Sequence, residues 1–373
     1  MTKFSRRQFA GGILAGSATL AMPSLAFGAR PRVVVIGGGA GGATAARYIA
    51  KDSGGAIDVT LIEASKRYYT CFFSNLYLGG FRNYGSIGHN YYGLAVNRGV
   101  NVVHEWATSV DAAAKKVNLG HGGSVGYDKL VLSPGISLKY DSVPGYGPEA
   151  QSQMPHAWTS GTQVQLLRSK VLNMKKGGTF VMVPPPNPYR CPPGPYERVS
   201  MIAHLLKERN PTAKIIILDP KPKFSKQGLF MAGWEKHYPG MIEWLDPDTH
   251  GGIKNVDVAN MKFETDLDTF SADAASVVPA QRAGSIAMAA GVNDGDWCPI
   301  NPSNMSSKAD PNIYVLGDAS VASSMPKSGF SANSQAKVAA NHICGELTGS
   351  RVYEARFANT CWSLVGTDDG IKV

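Results

Sequence analysis

The side chains with the most chemistry to offer are five cysteines, Cys71, Cys191, Cys298, Cys344 and Cys361. A thiolate attacks electrophiles, exchanges with disulfides and binds soft metals. The chain has no C-x-x-C-H, so it carries no attachment site for a c-type haem. Nor does any Cys/His spacing read as a metal site. Cys71 lies in an aromatic stretch, Arg67-Tyr68-Tyr69-Thr70-Cys71-Phe72-Phe73-Ser74-Asn75. Cys191 lies in a proline-rich run from Pro184 to Pro195, and Cys361 lies near the C-terminus. Cys298 and Cys344 read as space-filling thiols, Cys344 on a helical stretch, with a bridge between them as the alternative. Glu197, six residues past Cys191, reads either as a buried proton acceptor or as an acid favoured by a helix N-terminus.

The elements that must position these groups begin with a β-branched run, Arg32 to Ile36, read as a buried parallel strand. Gly37, Gly39 and Gly42 then form G-x-G-x-x-G, and a helical pattern covers Ala43 to Ile49. A second strand, Asp58 to Ile62, ends in Glu63, twenty-one residues beyond Gly42. Strand, glycine turn, helix, strand and acid make a dinucleotide-binding fingerprint. The glycines admit a pyrophosphate, the helix N-terminus favours its charge, and Glu63 is expected to bind the adenosine ribose. Two later segments are similar to those that flank FAD in the two-dinucleotide flavoproteins. They are a strand, Tyr127 to Leu132, running into Ser133-Pro134-Gly135, and a strand, Asn312 to Leu316, running into Gly317-Asp318. That similarity implies FAD, with Gly135 and Asp318 among its contacts and a helix from Ser331 to Leu347 starting beside the flavin. Lys327 reads either as a cation near that flavin or as a solvated loop lysine.

A second βαβ pattern follows: a strand over Gly178 to Val183, a helix over Glu197 to Arg209, and a strand over Lys214 to Leu218 that ends at Asp219. Its strand-to-helix turn is the proline-rich segment around Cys191. Proline offers no amide to a phosphate and its ring blocks close approach. The fold class expected is therefore α/β, with two Rossmann-like dinucleotide domains, the second degenerate and without a nucleotide. The expected division is an FAD domain over 29–150 and 282–350, a second domain over 151–281, and a C-terminal segment over 351–373 carrying Cys361.

With these motifs in order, the chain resembles the flavoprotein subunit of flavocytochrome c sulfide dehydrogenase. The resemblance rests on the Gly37–Gly42 loop, Tyr68-Tyr69-Thr70-Cys71, Arg190-Cys191-Pro192-Pro193-Gly194-Pro195-Tyr196-Glu197-Arg198, Gly317-Asp318-Ala319, Met325 to Gln335 and Asn359-Thr360-Cys361. It implies oxidation of sulfide to sulfur or polysulfide, with electrons passed to a c-type cytochrome on a separate chain. It also implies FAD bound covalently through Cys71, and a redox disulfide between Cys191 and Cys361. Cys361 is then the expected flavin-facing thiol and Cys191 the sulfur carrier. Two other readings stand beside it: a sulfide:quinone oxidoreductase, and a non-catalytic flavoprotein or sulfur-carrier subunit.

The first residues read as a leader. Ser5-Arg6-Arg7-Gln8-Phe9 precedes an apolar stretch to Met22 and a small-residue cleavage pattern at Ala26-Phe27-Gly28. This is a twin-arginine signal over 1–28 and implies a periplasmic protein, a Sec signal being the alternative. Loss of Lys3, Arg6 and Arg7 with the leader lowers the formal charge from +9 to +6. No basic run interleaved with aromatics points to nucleic acid.

Overall fold

The computed structural model describes residues 29–159 and 161–372. The expected leader, 1–28, lies outside them.

Strand β1 (Arg32–Ile36) is followed by helix α1 (Ala40–Asp52), strand β2 (Asp58–Ile62), strand β3 (Asn101–Val103) and strand β4 (Lys129–Leu132). Next come β5 (Thr179–Val183), α2 (Gly194–Arg209), β6 (Lys214–Leu218), α3 (Gln227–His237), β7 (Ile242–Leu245) and β8 (Ala274–Val277). The chain then returns through β9 (Ile313–Val315) and α4 (Gly329–Thr348), and ends in a hairpin, β10 (Trp362–Gly366) and β11 (Asp369–Lys372).

The first sheet has the order β9-β4-β1-β2-β3 and all its pairings are parallel. Its inner strands are buried apolar runs because helices cover a parallel sheet on both faces. Val33, Val35, Leu61, Val131 and Val315 are fully buried at its centre. The second sheet, β7-β6-β5-β8, is parallel throughout and draws only on residues 179–277. Both Rossmann-like layers expected from the sequence are thus present. The residues from Pro31 on cluster as one compact unit, so the division into 29–150 with 282–350, 151–281 and 351–373 stands as a proposal about which sheet each segment serves.

The elements differ from the expected ranges mainly at helix starts. Helix α2 opens at Gly194 rather than Glu197, with Pro195 inside its first turn. Proline is tolerated there because the first turn's amides have no intrahelical partner to lose. Helix α4 opens at Gly329 rather than Ser331, because the Ser328 hydroxyl caps it by accepting from the Ser331 amide at 3.0 Å. Helix α1 extends to Ala40–Asp52.

At the glycine turn two positions forbid a side chain. A Cβ on Gly37 would lie 2.3 Å from the Ser133 carbonyl oxygen, and one on Gly42 would lie 1.9 Å from that of Gly37. Gly37 also sits at φ +96. Relief of the second clash requires the whole turn to open. Gly42→Ala is expected to lower the unfolding free energy by about 1–3 kcal/mol, read from a denaturant melt, and to release bound flavin into a desalting filtrate.

Candidate active site

A cavity of about 940 Å³ runs from the glycine turn to the cysteines. Gly37, Gly39, Glu63, Cys71, Gly135, Cys191, Glu197, Asp318 and Cys361 all line it. Gly42 lies behind Gly37, within the turn. Lys327 also stands behind the wall. Its ammonium donates to the carbonyls of Asp318 (2.7 Å) and Ser320 (2.9 Å) and sits 3.6 Å from the centroid of the Trp297 ring. Of the two alternatives drawn from the sequence, the solvated loop lysine does not fit. It is not in solvent and it does not face the cavity; it fastens the turn that presents Asp318. Burial pulls it down to about 8, against the opposing pull of Asp318.

The nucleotide end is built from backbone. Gly39 caps α1 in extended conformation, no side chain caps that helix, and its first turn holds no acid. The amides of a first helical turn lack intrahelical acceptors, so they are free to receive an anion. A Cβ on Gly39 would meet only the edge of Tyr68, at 3.7 Å. The space before α1 is therefore open, and it suits a pyrophosphate. Glu63 accepts from the Gly38 amide (2.7 Å) and the Ser65 amide (2.8 Å), which fixes its carboxylate at the cavity edge beyond β2. These residues fit the adenosine diphosphate part of FAD.

Farther in, Asp318 is held above the usual carboxylate range by burial, with Arg190 and Lys327 pulling the other way. The Arg190 guanidinium lies 3.8 Å from that carboxylate, and its other terminal nitrogen is buried without a hydrogen-bond partner. Arg190 also feels the charges of Cys71, Tyr68 and Cys191. Nothing in its local sequence pattern marked Arg190 as a buried cation; its amide is held by the Gln281 side-chain oxygen at 2.9 Å.

The three cavity cysteines arrive on three unrelated segments. Cys71 opens a short 3-10 turn, with its Sγ 3.9 Å from the Tyr68 hydroxyl. Cys191 lies within the proline-rich run in the left-handed region, φ +58. That conformation costs a non-glycine residue about 1–2 kcal/mol. It is held by the Cys191 amide donating to the Lys327 carbonyl (2.7 Å) and by the Gly194 amide donating to the Cys191 carbonyl (2.8 Å). A Cβ on Gly194 would stand 3.0 Å from the Cys191 sulfur, so the first residue of α2 must be small. Cys361 comes from the C-terminal segment, where the Asn359 side-chain amide donates to its Sγ at 3.6 Å. Asn359 is itself gripped by the Ser328 and Ser331 hydroxyls, at 2.6 and 3.1 Å.

All five cysteines are free thiols in this structure. Burial pushes the Cys191 thiol well above its ordinary value, and the charges of Glu197, Cys71 and Cys361 push it further, with Arg190 opposing. Such a site disfavours an isolated thiolate at Cys191. Cys298 and Cys344 are buried away from this cavity and do not bridge, and the Cys344 thiol donates to the Ile49 carbonyl at 3.7 Å.

Glu197 sits in the first turn of α2, yet it is only 8% exposed and faces the cavity. One carboxylate oxygen accepts from the Asn75 side-chain amide (2.8 Å), and the other accepts from the Leu364 amide of β10 (2.9 Å). Burial still raises it, outweighing those hydrogen bonds and the pull of Lys226 and Arg198. Its neighbour Arg198, 1% exposed, donates to the carbonyls of His156 (2.7 Å) and Ala157 (2.5 Å) and to Ser276 (2.9 Å).

The second sheet has filled its own nucleotide position. Asp219, beyond β6, occupies the place where a ribose-binding acid would stand. Its carboxylate is fully buried and accepts from Lys221 (2.6 Å), the Tyr196 hydroxyl (2.6 Å) and the Trp244 indole (3.0 Å). Tyr196 in turn stacks on Phe224, with ring centroids 3.6 Å apart. Aromatic rings and an ion pair occupy this end of the sheet.

The chain matches two family models. One, pyridine nucleotide-disulphide oxidoreductase, covers residues 31–173. The other, the central part of the sulfide dehydrogenase [flavocytochrome c] flavoprotein chain, covers 164–279. A curated sequence named sulfide dehydrogenase [flavocytochrome c] flavoprotein chain, from Chlorobaculum thiosulfatiphilum, is 52% identical over 44 residues. That match spans 12% of this chain and 90% of that sequence. Among solved structures, the sulfide:quinone oxidoreductase of Aquifex aeolicus superposes with a TM-score of 0.73 at 19% identity, over 89% of this chain and 81% of that one. A NAD-dependent persulfide reductase from A. fulgidus gives 0.70 at 18% identity, over 90% and 62%. At such identities these structures establish the fold, that of the flavin-dependent disulfide oxidoreductases.

A raised carboxyl in the folded state binds its proton at a pH where the unfolded chain has lost it. Its contribution to stability is therefore full below the ordinary carboxylate range and is lost as pH rises through the raised value. Glu197→Gln removes that loss. The stability of the variant relative to wild type is expected to increase as pH rises from 4 to 8 in urea unfolding series. A difference that stays flat with pH would mean that Glu197 ionises as freely when folded as when unfolded.

Proposed function

Since the chain belongs to the family of flavocytochrome c sulfide dehydrogenase flavoprotein chains, we propose that it oxidises sulfide to polysulfide with a Cys191–Cys361 disulfide and FAD, and delivers the electrons to a c-type cytochrome on a separate chain. We further propose that FAD is joined to Cys71, and that the twin-arginine leader carries the folded protein to the periplasm, an oxidising compartment where such a disulfide persists. The observation that carries the reading is that Cys191 and Cys361, 170 positions apart in the chain, line one cavity with Glu197 and Cys71.

The chemistry follows from the residues. Hydrosulfide attacks one sulfur of the disulfide, forming a persulfide and releasing the other cysteine as a thiolate. The disulfide is reduced by two electrons and the incoming sulfur becomes sulfane sulfur. A second hydrosulfide takes that sulfur away as hydrogen disulfide anion and leaves the two cysteines reduced. Re-formation of their bond, from one thiol and one thiolate, yields two electrons and one proton. Net, two hydrosulfides give one hydrogen disulfide anion, one proton and two electrons. FAD, when bound in this cavity, supplies the two-electron acceptor. Glu197, desolvated and close enough to raise Cys191, is placed to take a thiol proton. Arg190 offers positive charge to the sulfurs. The closed second nucleotide position, with Asp219 already saturated, argues against NAD(P)H as the electron source.

Anaerobic sulfide should bleach the flavin of the wild-type protein within seconds. Cys191→Ser and Cys361→Ser should each slow bleaching by about a hundredfold or more, since each removes the exchangeable disulfide. A flavin that stays oxidised in wild type refutes the enzyme reading, and faster turnover with a quinone than with cytochrome c refutes the proposed acceptor. Acid precipitation tests the attachment separately. Yellow colour should pellet with wild type and remain in the supernatant with Cys71→Ala.

A further inference from the structure

We propose that Lys226 is the positioning residue for Cys361, and that its ammonium seats the C-terminal hairpin so that this sulfur reaches the cavity. The proposal rests on the sulfur reading above, and it concerns a residue that no motif in the sequence singled out.

Lys226 precedes α3 and caps it at φ +63. A glycine or asparagine would adopt that backbone more readily, so lysine here carries a conformational cost of about 1 kcal/mol. The side chain offsets that cost. An ammonium has three donors, and all three end on the hairpin segment: the Cys361 carbonyl at 2.9 Å, the Ser363 hydroxyl at 3.3 Å and the Ile371 carbonyl at 3.4 Å. The first two lie on the strand that leaves Cys361 and the third on the returning strand, where Ile371 pairs with Ser363. One cation thus ties both strands to α3 at the level of the cysteine. The group is half-buried. Burial pulls its proton affinity down, and the charges of Cys361, Glu197 and Cys191 pull it back up, in that order.

The rest of the hairpin is attached farther away. Tyr238 donates to the Val365 carbonyl at 2.8 Å, and Asp369 receives Lys236 and His237 at 2.7 Å each. Glu197 holds Leu364. These contacts keep the hairpin on the protein without fixing the backbone of Cys361. That backbone has Lys226 on one side, while Asn359 steers the sulfur from the other. Loss of Lys226 should therefore free the residue locally and leave the fold in place.

The test uses the full-length, flavin-loaded protein in its reduced form, with iodoacetamide labelling of each cysteine followed by peptide mass mapping. In Lys226→Met, labelling at Cys361 should quicken by about tenfold, since three hydrogen bonds are lost at that segment. Buried Cys298 and Cys344 should label as in wild type, and flavin content should hold. Lys226→Arg, which restores donors and charge, should return Cys361 to near the wild-type rate; an apolar packing role would give the reverse order. Lys226→Gln, which keeps part of the bonding, should fall between and serves if the methionine variant does not fold. Diamide oxidation should form the Cys191–Cys361 cross-link about tenfold more slowly in Lys226→Met than in wild type. Equal Cys361 labelling in all four proteins overturns the assignment. Absence of the cross-link in wild type overturns the disulfide instead, and the labelling contrast still decides the role of Lys226.

Discussion

The architecture of the site depends on a buried carboxylate. Glu197 reaches from the first turn of α2 to Asn75 on one side and to the Leu364 amide on the other. It thereby joins the loop that carries Cys71, the helix that follows Cys191 and the strand that follows Cys361. A buried carboxylate with two donors is costly to desolvate and costly to leave unpaired. The three segments are therefore locked together beside the cavity that their sulfurs line. The same burial that specifies the junction also raises the proton affinity of Glu197.

Charge inside this cavity is distributed with care. Arg190, Asp318 and Lys327 form a row in which Asp318 faces inward while Lys327 binds its backbone from behind. Cys191 is in a setting that resists a lone thiolate. A disulfide carries no charge and so escapes the desolvation cost that burdens two thiolates. This interior therefore favours uncharged sulfur at Cys191 over a thiolate.

The second sheet shows how a fold outlives a binding site. Its strands, crossover helix and terminal acid follow the Rossmann plan. The acid is spent on Lys221, Tyr196 and Trp244, and the turn before α2 is built of prolines that present a cysteine. Scaffold geometry persists because it buries the core, while the nucleotide position has become part of the wall that supports Cys191.

Local pattern determined much of this protein. The alternation of β-branched strands with helical stretches gave β1, β2, β4, β5, β6 and β9, with β1, β2 and β6 at their observed limits, because such strands are short apolar runs bounded by glycine or acid; β3, β7 and β8 were not read from it. The glycine turn and Glu63 were legible because backbone approach to a phosphate requires those residues at that spacing. Tertiary structure decided the rest. Sequence left Glu197 open between two roles, and the packing of β10 against α2 is what buries it. It left Lys327 open between solvent and cofactor, and its bonds to the Asp318 and Ser320 carbonyls take it out of solvent. Arg190 and Asn75 stood inside quoted motifs without a role of their own, and Lys226 stood in none, since each acts on a segment distant in the chain. Spacing along a polypeptide encodes contacts within a few residues; contacts between Lys226 and Cys361, 135 positions apart, exist only once the core has folded.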